Sequence, residues 1–479
     1  MSPQRGAKNQ RSPKRTDYSK LDDDKAKEKQ DKVETDTDQS VYTVSRPSIY
    51  PSGAHAPTVR KAPLEENRDI LPELKSHNLE GLYNLSFFLL IFTLGYNVIR
   101  NIREKGWQAD IRLLLCPEVF RDIRFVSTAY ASLALYCYTT FLIVKFAVWW
   151  QKWDFLSSLL YWSSQAGLYV VLTLKMYSRP LSPIFGCMLA MGVLVFSLKM
   201  HSYYATNMLL LQEFRLAKKS RGNLKKVDNN RNVNQSCFPY SVNLKNFSYF
   251  LLAAPTLVYE TSYPRTSSIR VRYILSNLMQ LAICFLIQFF LLCQLMLPVL
   301  KRDSGSLLFD FMKLAIPSIF FWLLGFYALF HCWLNAWAEL WRFGDRGFYR
   351  DWWNSTTLDS FWSKWNVPVH EWCLRHIFVE SMHKYHVNRT SATAATFLVS
   401  AILHEFIFIV SFKTIRPFMF FGILFQVPLI RLSQTAVISG HRRGNLLVWL
   451  NLFMGHPLIE LFYFRTFFQA HHSLFCVRN

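Results

Sequence analysis

Residues 274–300 read ILSNLMQLAICFLIQFFLLCQLMLPVL, a stretch without a single Asp, Glu, Lys or Arg. A helix crosses the hydrocarbon core of a bilayer with about 20 largely apolar residues, so this run predicts a transmembrane helix and sets the class of the fold. Comparable runs lie at 82–99, 125–149, 155–175, 181–198, 314–338, 391–412, 417–438 and 445–468. Together they predict an all-α, polytopic membrane protein of about nine transmembrane helices. Arg431 interrupts the run at 417–438 and makes it the weakest of the nine. Composition agrees, since 51% of the 479 residues are hydrophobic and 18% charged, against roughly a quarter charged in soluble proteins.

Charge is distributed unevenly. The first 80 residues carry 15 basic and 14 acidic side chains. Residues 1–75, rich in Ser, Asp, Lys and Pro, bury too little apolar surface to fold alone and are expected to be a disordered cytosolic tail. No short apolar segment of signal-peptide type begins the chain, so insertion is expected to start at the first span. Residues 76–479 form the membrane domain, and from residue 81 onward the net charge is +21 on an apolar body. Basic faces at a water boundary suit anionic headgroups or a phosphorylated co-substrate. No zinc-finger, helix-turn-helix or RNP-type pattern supports nucleic acid as a partner. Placing the N-terminus in the cytosol puts segments 200–272 and 339–390 and the Arg442–Arg443 turn on the basic, cytosolic side. The C-terminus then lies in the lumen. The loop at 100–124, with six basic and four acidic residues, runs against that bias. The triplets beginning at Asn234, Asn246, Asn354 and Asn388 fall on the cytosolic side, and Asn84 falls in a span, so they read as chance glycosylation matches. The nine cysteines contain no CxxC pair and are expected to be free packing residues. A Cys116–Cys476 pairing would need both in the lumen and is not expected.

Candidate chemistry sits in the seventh run. Thr396, Ser400 and His404 recur every four residues and share one helix face, and Glu405 follows directly. An ionisable pair in mid-span normally faces the protein interior or a wet cavity. The bland reading of His404 is a hydrogen bond between helices; the functional reading is a proton acceptor. Zinc is disfavoured, because position 408 is Phe where HExxH needs His. No GxSxG elbow, HxxxxD box or P-loop occurs. A lone base without a protein nucleophile suggests direct attack of an alcohol on an activated acyl group. A second constellation follows the sixth run. His331, Asn335 and Glu339 make a polar stripe, and Phe348, Tyr349, Arg350, Asp351, Trp352, Trp353 and Asn354 come next. Then Trp365, Asn366 and His370 lie in WNVPVHEW, where Asn366 and His370 fall on one helix face. Such aromatic density has a bland explanation in an interfacial belt. Arg342, Arg346, Arg350, Lys364 and Arg375 add positive charge fitted to a phosphate-bearing ligand.

FYRDWWN at 348–354, WNVPVHEW at 365–372 and LHEF around His404, with AAPTLVYETSYPR at 253–265 and NAWAELWRFGDR at 335–346, resemble the membrane-bound O-acyltransferase superfamily. The likeness is to its diacylglycerol and sterol acyltransferase branch and extends over roughly residues 80–470. It implies that fold, an endoplasmic reticulum membrane, a dimer or tetramer, and acyl-CoA as co-substrate with no separate cofactor. It further implies that His404 is the catalytic base, Asn366 the second site residue, and FYRDWWN the cytosolic mouth where acyl-CoA enters. Glu405 and His370 are the candidate supporting residues, although Glu405 points about 100° away from His404. The acceptor stays open between two alcohols. WNVPVHEWCLRH is more similar to diacylglycerol enzymes, the first reading, with triacylglycerol as product. LKMHSY at 198–203 and SMHKYHVNRTSAT at 381–393 are similar to fungal sterol acyltransferases. The family often carries Tyr where this chain has Phe406, and many diacylglycerol enzymes carry Gln where it has His456. The rival classes are a transporter or channel, for which no paired-repeat pattern is evident, and a non-catalytic scaffold.

Overall fold

A computed structural model describes residues 80–110, 116–150, 153–179, 181–221, 238–302, 306–435, 437–439 and 442–470. The expected tail at 1–75, and Cys476, lie outside the described residues. The described residues form helices and loops, with one isolated bridge between Arg265 and Phe343. The helices are α1 (Glu80–Lys105), α2 (Pro117–Trp150), α3 (Asp154–Tyr177), α4 (Pro183–Arg221) and the short α5 (Leu244–Ser248). There follow α6 (Val271–Leu300), α7 (Leu307–Leu340), α8 (Leu358–Trp365), α9 (Val367–Cys373) and α10 (Arg389–Phe412). The last three are α11 (Phe418–Leu424), α12 (Gln426–Ser433) and α13 (Arg442–Ala470).

Six of these, α2, α4, α6, α7, α10 and α13, contain stretches long and apolar enough to cross a membrane. They coincide with six of the nine expected spans. The runs at 82–99 and 155–175 are the continuous helices α1 and α3. The run at 417–438 is broken, and the break falls at Phe425 rather than at Arg431. Pro428 explains its position: lacking an N–H, it cannot bond back to the Leu424 carbonyl and cannot continue the helix from α11. The fourth span also differs from expectation. The sequence predicts a span over 181–198, yet α4 runs on to Arg221, with its apolar portion reaching Leu216. No proline interrupts it after Pro183, and its polar residues turn inward instead of ending it. Lys199 is the clearest case, with its ammonium donating to the carbonyls of Phe250 (2.8 Å), Leu251 (3.1 Å) and Ala254 (2.7 Å).

The packing is apolar outward and polar inward, as a bilayer requires. On α6, Leu275, Met279, Ile283 and Leu286 are exposed, whereas Asn277, Gln288 and Gln294 are buried. Gln294 accepts from the Gln108 N–H (2.8 Å) and donates to Asn101 (2.7 Å) and to the Gly106 carbonyl (3.1 Å), which fastens the end of α1 to α6. Four π-helical segments interrupt the regular helices, at Tyr249–Ala253, Leu291–Met296, Tyr327–Trp333 and Leu374–Val379. Such one-turn widenings re-aim side chains and recur at functional sites.

The loops on the α7–α8 side are held by one carboxylate. Glu339, 1% exposed, accepts at Oε1 from the Arg270 backbone N–H (2.7 Å) and Nε (3.1 Å). Its Oε2 accepts from Arg270 Nη2 (2.9 Å) and Arg346 Nη1 (2.5 Å). Arg346 is therefore buried inside the fold and is not a free charge for a ligand. Close by, Gly344 donates to the Pro264 carbonyl at 2.9 Å, and a Cβ on Gly344 would press on that same carbonyl. Glu339→Ala would leave two guanidinium groups uncompensated, one of them buried. The expected cost is about 3–5 kcal/mol, read as a lowered thermal midpoint of the detergent-solubilised protein. An unchanged midpoint would refute the role given to Glu339.

Candidate active site

His404 lies on α10, one turn after Ser400. Its Nδ1 is 2.8 Å from the Ser400 carbonyl oxygen and 3.3 Å from the Ser400 hydroxyl. A carbonyl can only accept, so the 2.8 Å contact places the proton of a neutral imidazole on Nδ1. The Nε2 lone pair is thereby left as the basic atom. The side chain is part-buried among the helices and keeps some accessible surface.

Glu405, the next residue, belongs to a different contact set. Its carboxylate accepts from the Phe420 N–H (2.9 Å) and lies 2.8 and 2.9 Å from the Tyr463 hydroxyl of α13. That hydroxyl is also 2.8 Å from the Arg416 carbonyl, and its single proton serves one of these acceptors at a time. Glu405 thus joins α10 to α11 and α13, on a face of the helix turned away from His404.

Asn366 is the N-cap of α9. Its Oδ1 accepts from the Val369 N–H at 3.2 Å, and Pro368 occupies the first turn, where no N–H is needed. Because an N–H can only donate, this cap fixes the flip of the amide and leaves Nδ2 as its outward donor. Two contacts connect the segment around Asn366 with α10. Trp362 of α8 packs edge-on against Phe397, which lies seven residues before His404 on the same face. Val369 and Leu403 join one apolar cluster with Trp372. His370 is half-buried on α9, and burial pushes its imidazole below the ordinary histidine range, with Asp359 opposing and Arg350 adding to the shift.

The FYRDWWN segment divides by exposure. Phe348 and Trp352 are buried, whereas Arg350, Asp351 and Asn354 are exposed. Trp352 lies edge-on to Trp322 (5.5 Å) and Phe361 (5.7 Å), while Trp365 stacks on Trp322 (5.0 Å) and on Phe326 (5.5 Å). Tyr349 is hydrogen-bonded to His331 Nδ1 at 2.8 Å, so His331 serves to hold this segment on α7. Asp351 pairs with Lys364 at 3.1 Å, and Arg375 with Glu260 at 3.4 Å. Arg346, Lys364 and Arg375, read from the sequence as ligand-facing, therefore have carboxylate partners within the fold. His456 of α13 packs its ring on Trp322 at 4.6 Å, next to this aromatic cluster.

Residues that the sequence reading did not single out hold the segment in place. Asn445 donates to the Trp353 (2.8 Å) and Ser355 (3.0 Å) carbonyls, and Ser433 accepts from the Leu358 N–H (3.0 Å). Gly444 lets the start of α13 approach so closely that a Cβ there would collide with the Thr356 carbonyl. The sole sequence signal was Gly444–Asn445 after two arginines, a pattern common to many turns.

Residues 121–465 match the membrane-bound O-acyltransferase (MBOAT) family. The chain belongs to that family of multi-pass membrane acyltransferases. It is 32% identical over 407 residues to diacylglycerol O-acyltransferase 1 of Dictyostelium discoideum, a match covering 82% of this chain and 63% of that protein. To diacylglycerol O-acyltransferase 1B of Glycine max it is 31% identical over 462 residues, or 92% of this chain and 86% of the other. To diacylglycerol O-acyltransferase 1 of Homo sapiens it is 36% identical over 244 residues, 49% of each chain.

Gly444→Ala is expected to push the 352–358 segment off α13 at a cost of about 1–3 kcal/mol. Faster amide exchange confined to that segment is the expected reading; unchanged exchange would show that the approach is not restrictive.

Proposed function

We propose that this chain is an acyl-CoA:diacylglycerol O-acyltransferase of the endoplasmic reticulum, with His404 as general base and Asn366 as oxyanion donor. The observation that carries the reading is the His404 Nδ1 contact with the Ser400 carbonyl, which leaves the lone pair on Nε2 of a part-buried imidazole. Similarity to diacylglycerol O-acyltransferases over most of the chain supports the acceptor.

In this mechanism Nε2 takes the proton of the acceptor hydroxyl as its oxygen attacks the thioester carbonyl carbon. The former carbonyl oxygen becomes the oxyanion and accepts from Asn366 Nδ2. Collapse breaks the carbon–sulfur bond, and the CoA thiolate takes the proton back from the His404 imidazolium. The products are triacylglycerol and CoA, with no net proton change. Acyl-CoA enters at the FYRDWWN segment and diacylglycerol arrives laterally from the bilayer, so neither apolar chain crosses water. The exposed Arg350 suits the CoA phosphates. His370, uncharged by burial, lies one turn beyond Asn366 and supports the same wall. The N-terminus is cytosolic, the C-terminus lumenal, and the working unit a dimer or tetramer.

With purified protein, labelled acyl-CoA and diacylglycerol, His404→Ala should abolish ester formation while the size-exclusion profile stays that of the wild type. Asn366→Ala should lower kcat by about 10²–10³-fold. Retained turnover in the His404 variant would sink the assignment.

A further inference from the structure

The seam between α7 and α13 holds a polar pair that the proposed mechanism leaves unused. Glu460 receives a hydrogen bond at Oε2 from the Ser318 hydroxyl. Four-residue spacing places Asp310, Leu314, Ser318 and Trp322 along one face of α7. Asp310 pairs with Arg302 and Arg465 at one end of that face. Fully buried Leu314, clustered with Leu461, Phe464 and Phe468 of α13, closes that end off. Toward the other end the seam passes Trp322, against which His456 packs one turn before Glu460, and reaches Trp365 beside Asn366. The pair therefore lies one turn along the seam from the His456–Trp322 contact, and through Trp322 it is continuous with the aromatic wall beside Asn366.

Its surroundings differ from those of the structural carboxylates. Glu339 and Asp310 are fully buried and ion-paired. Glu460 is only part-buried, as His404 and His456 are, and it is hydrogen-bonded to a hydroxyl. A carboxyl at membrane depth is costly and by default marks a substrate or ion contact.

We propose that Ser318 and Glu460 form an acceptor subsite that recognises the ester oxygens of a glycerolipid. The inference rests on the acyltransferase reading above and narrows its acceptor. A sterol or a simple long-chain alcohol brings one hydroxyl, which is consumed as the nucleophile, and offers this wall only hydrocarbon. A diacylglycerol brings two further ester groups a few bonds from its reacting oxygen. In its acid form Glu460 accepts from Ser318 through one oxygen and donates to an ester carbonyl through the other. The pair would thus favour glycerides over apolar alcohols without taking part in proton transfer.

The test compares kcat/KM for diacylglycerol with kcat/KM for hexadecanol, using the purified full-length protein and one acyl-CoA. Glu460→Leu should lower the diacylglycerol-to-hexadecanol ratio by roughly tenfold, the worth of one hydrogen bond, mainly through KM for diacylglycerol. Glu460→Gln, which keeps a donor and an acceptor without charge, should restore the ratio to within a few-fold of wild type. A loss shared equally by both acceptors in both variants would make Glu460 a folding residue and overturn the proposal. An unchanged ratio in Glu460→Leu would overturn it as well. Either result leaves the acyltransferase reading intact, whereas a wild-type protein that esterifies no alcohol overturns both.

Discussion

Inside a bundle of membrane helices a polar group has no water to turn to, and protein must satisfy it. Glu339 shows how much chain that constraint can organise. A single buried carboxylate at the end of α7 accepts from one backbone N–H and two arginines, and so fixes the entry to α6 and the loop that leads to FYRDWWN. The aromatic cluster around Trp352 and Trp365 is built on that loop, and Asn366 follows it directly. Truncating the carboxylate would not merely remove attraction. It would strand cations in a place where their hydration cannot be recovered.

His404 and Asn366 are oriented by the same economy, with backbone as partner. The Ser400 carbonyl sets the tautomer of His404, and the Val369 N–H sets the flip of Asn366. Both contacts are local, spanning four and three residues, so helix formation itself produces them. Under the proposed mechanism this amounts to preorganisation, since the lone pair at Nε2 and the donor at Nδ2 would be set before substrate arrives. Glu405 shows the opposite use of a neighbouring position. One residue further along α10 it turns toward Tyr463 and Phe420 and locks helices together.

Local features were the ones legible in the sequence. The charge-free run at 274–300 announces α6, and four-residue spacing announces the face shared by Thr396, Ser400 and His404. What escaped the sequence depended on where a polar side chain finds its partner. Lys199 and His201 look like the end of a span, yet α4 continues past them because Lys199 reaches carbonyls more than fifty residues away. Arg346 looks like a ligand-facing cation and is instead sealed against Glu339. Gly444 and Asn445 carry no pattern that distinguishes them from turn residues, since their importance lies in a contact with residues 353–356. Periodicity reports which face a residue occupies and is silent on which element covers that face.

α13 draws these strands together. Its first turn grips the loop after FYRDWWN through Asn445, its middle sets His456 on Trp322 and Glu460 on Ser318, and Tyr463 meets Glu405. One helix thereby touches the FYRDWWN segment, the Trp322 cluster and the helix that carries His404. Under the proposed mechanism, a rigid element with contacts at all three levels would hold acyl entry and base at a fixed separation. It also separates two kinds of carboxyl along its length. Glu405 is fully engaged where α13 holds α10, whereas Glu460 meets the Ser318 hydroxyl. The difference in partners, rather than in residue type, is what separates an architectural carboxyl from the one proposed to meet substrate.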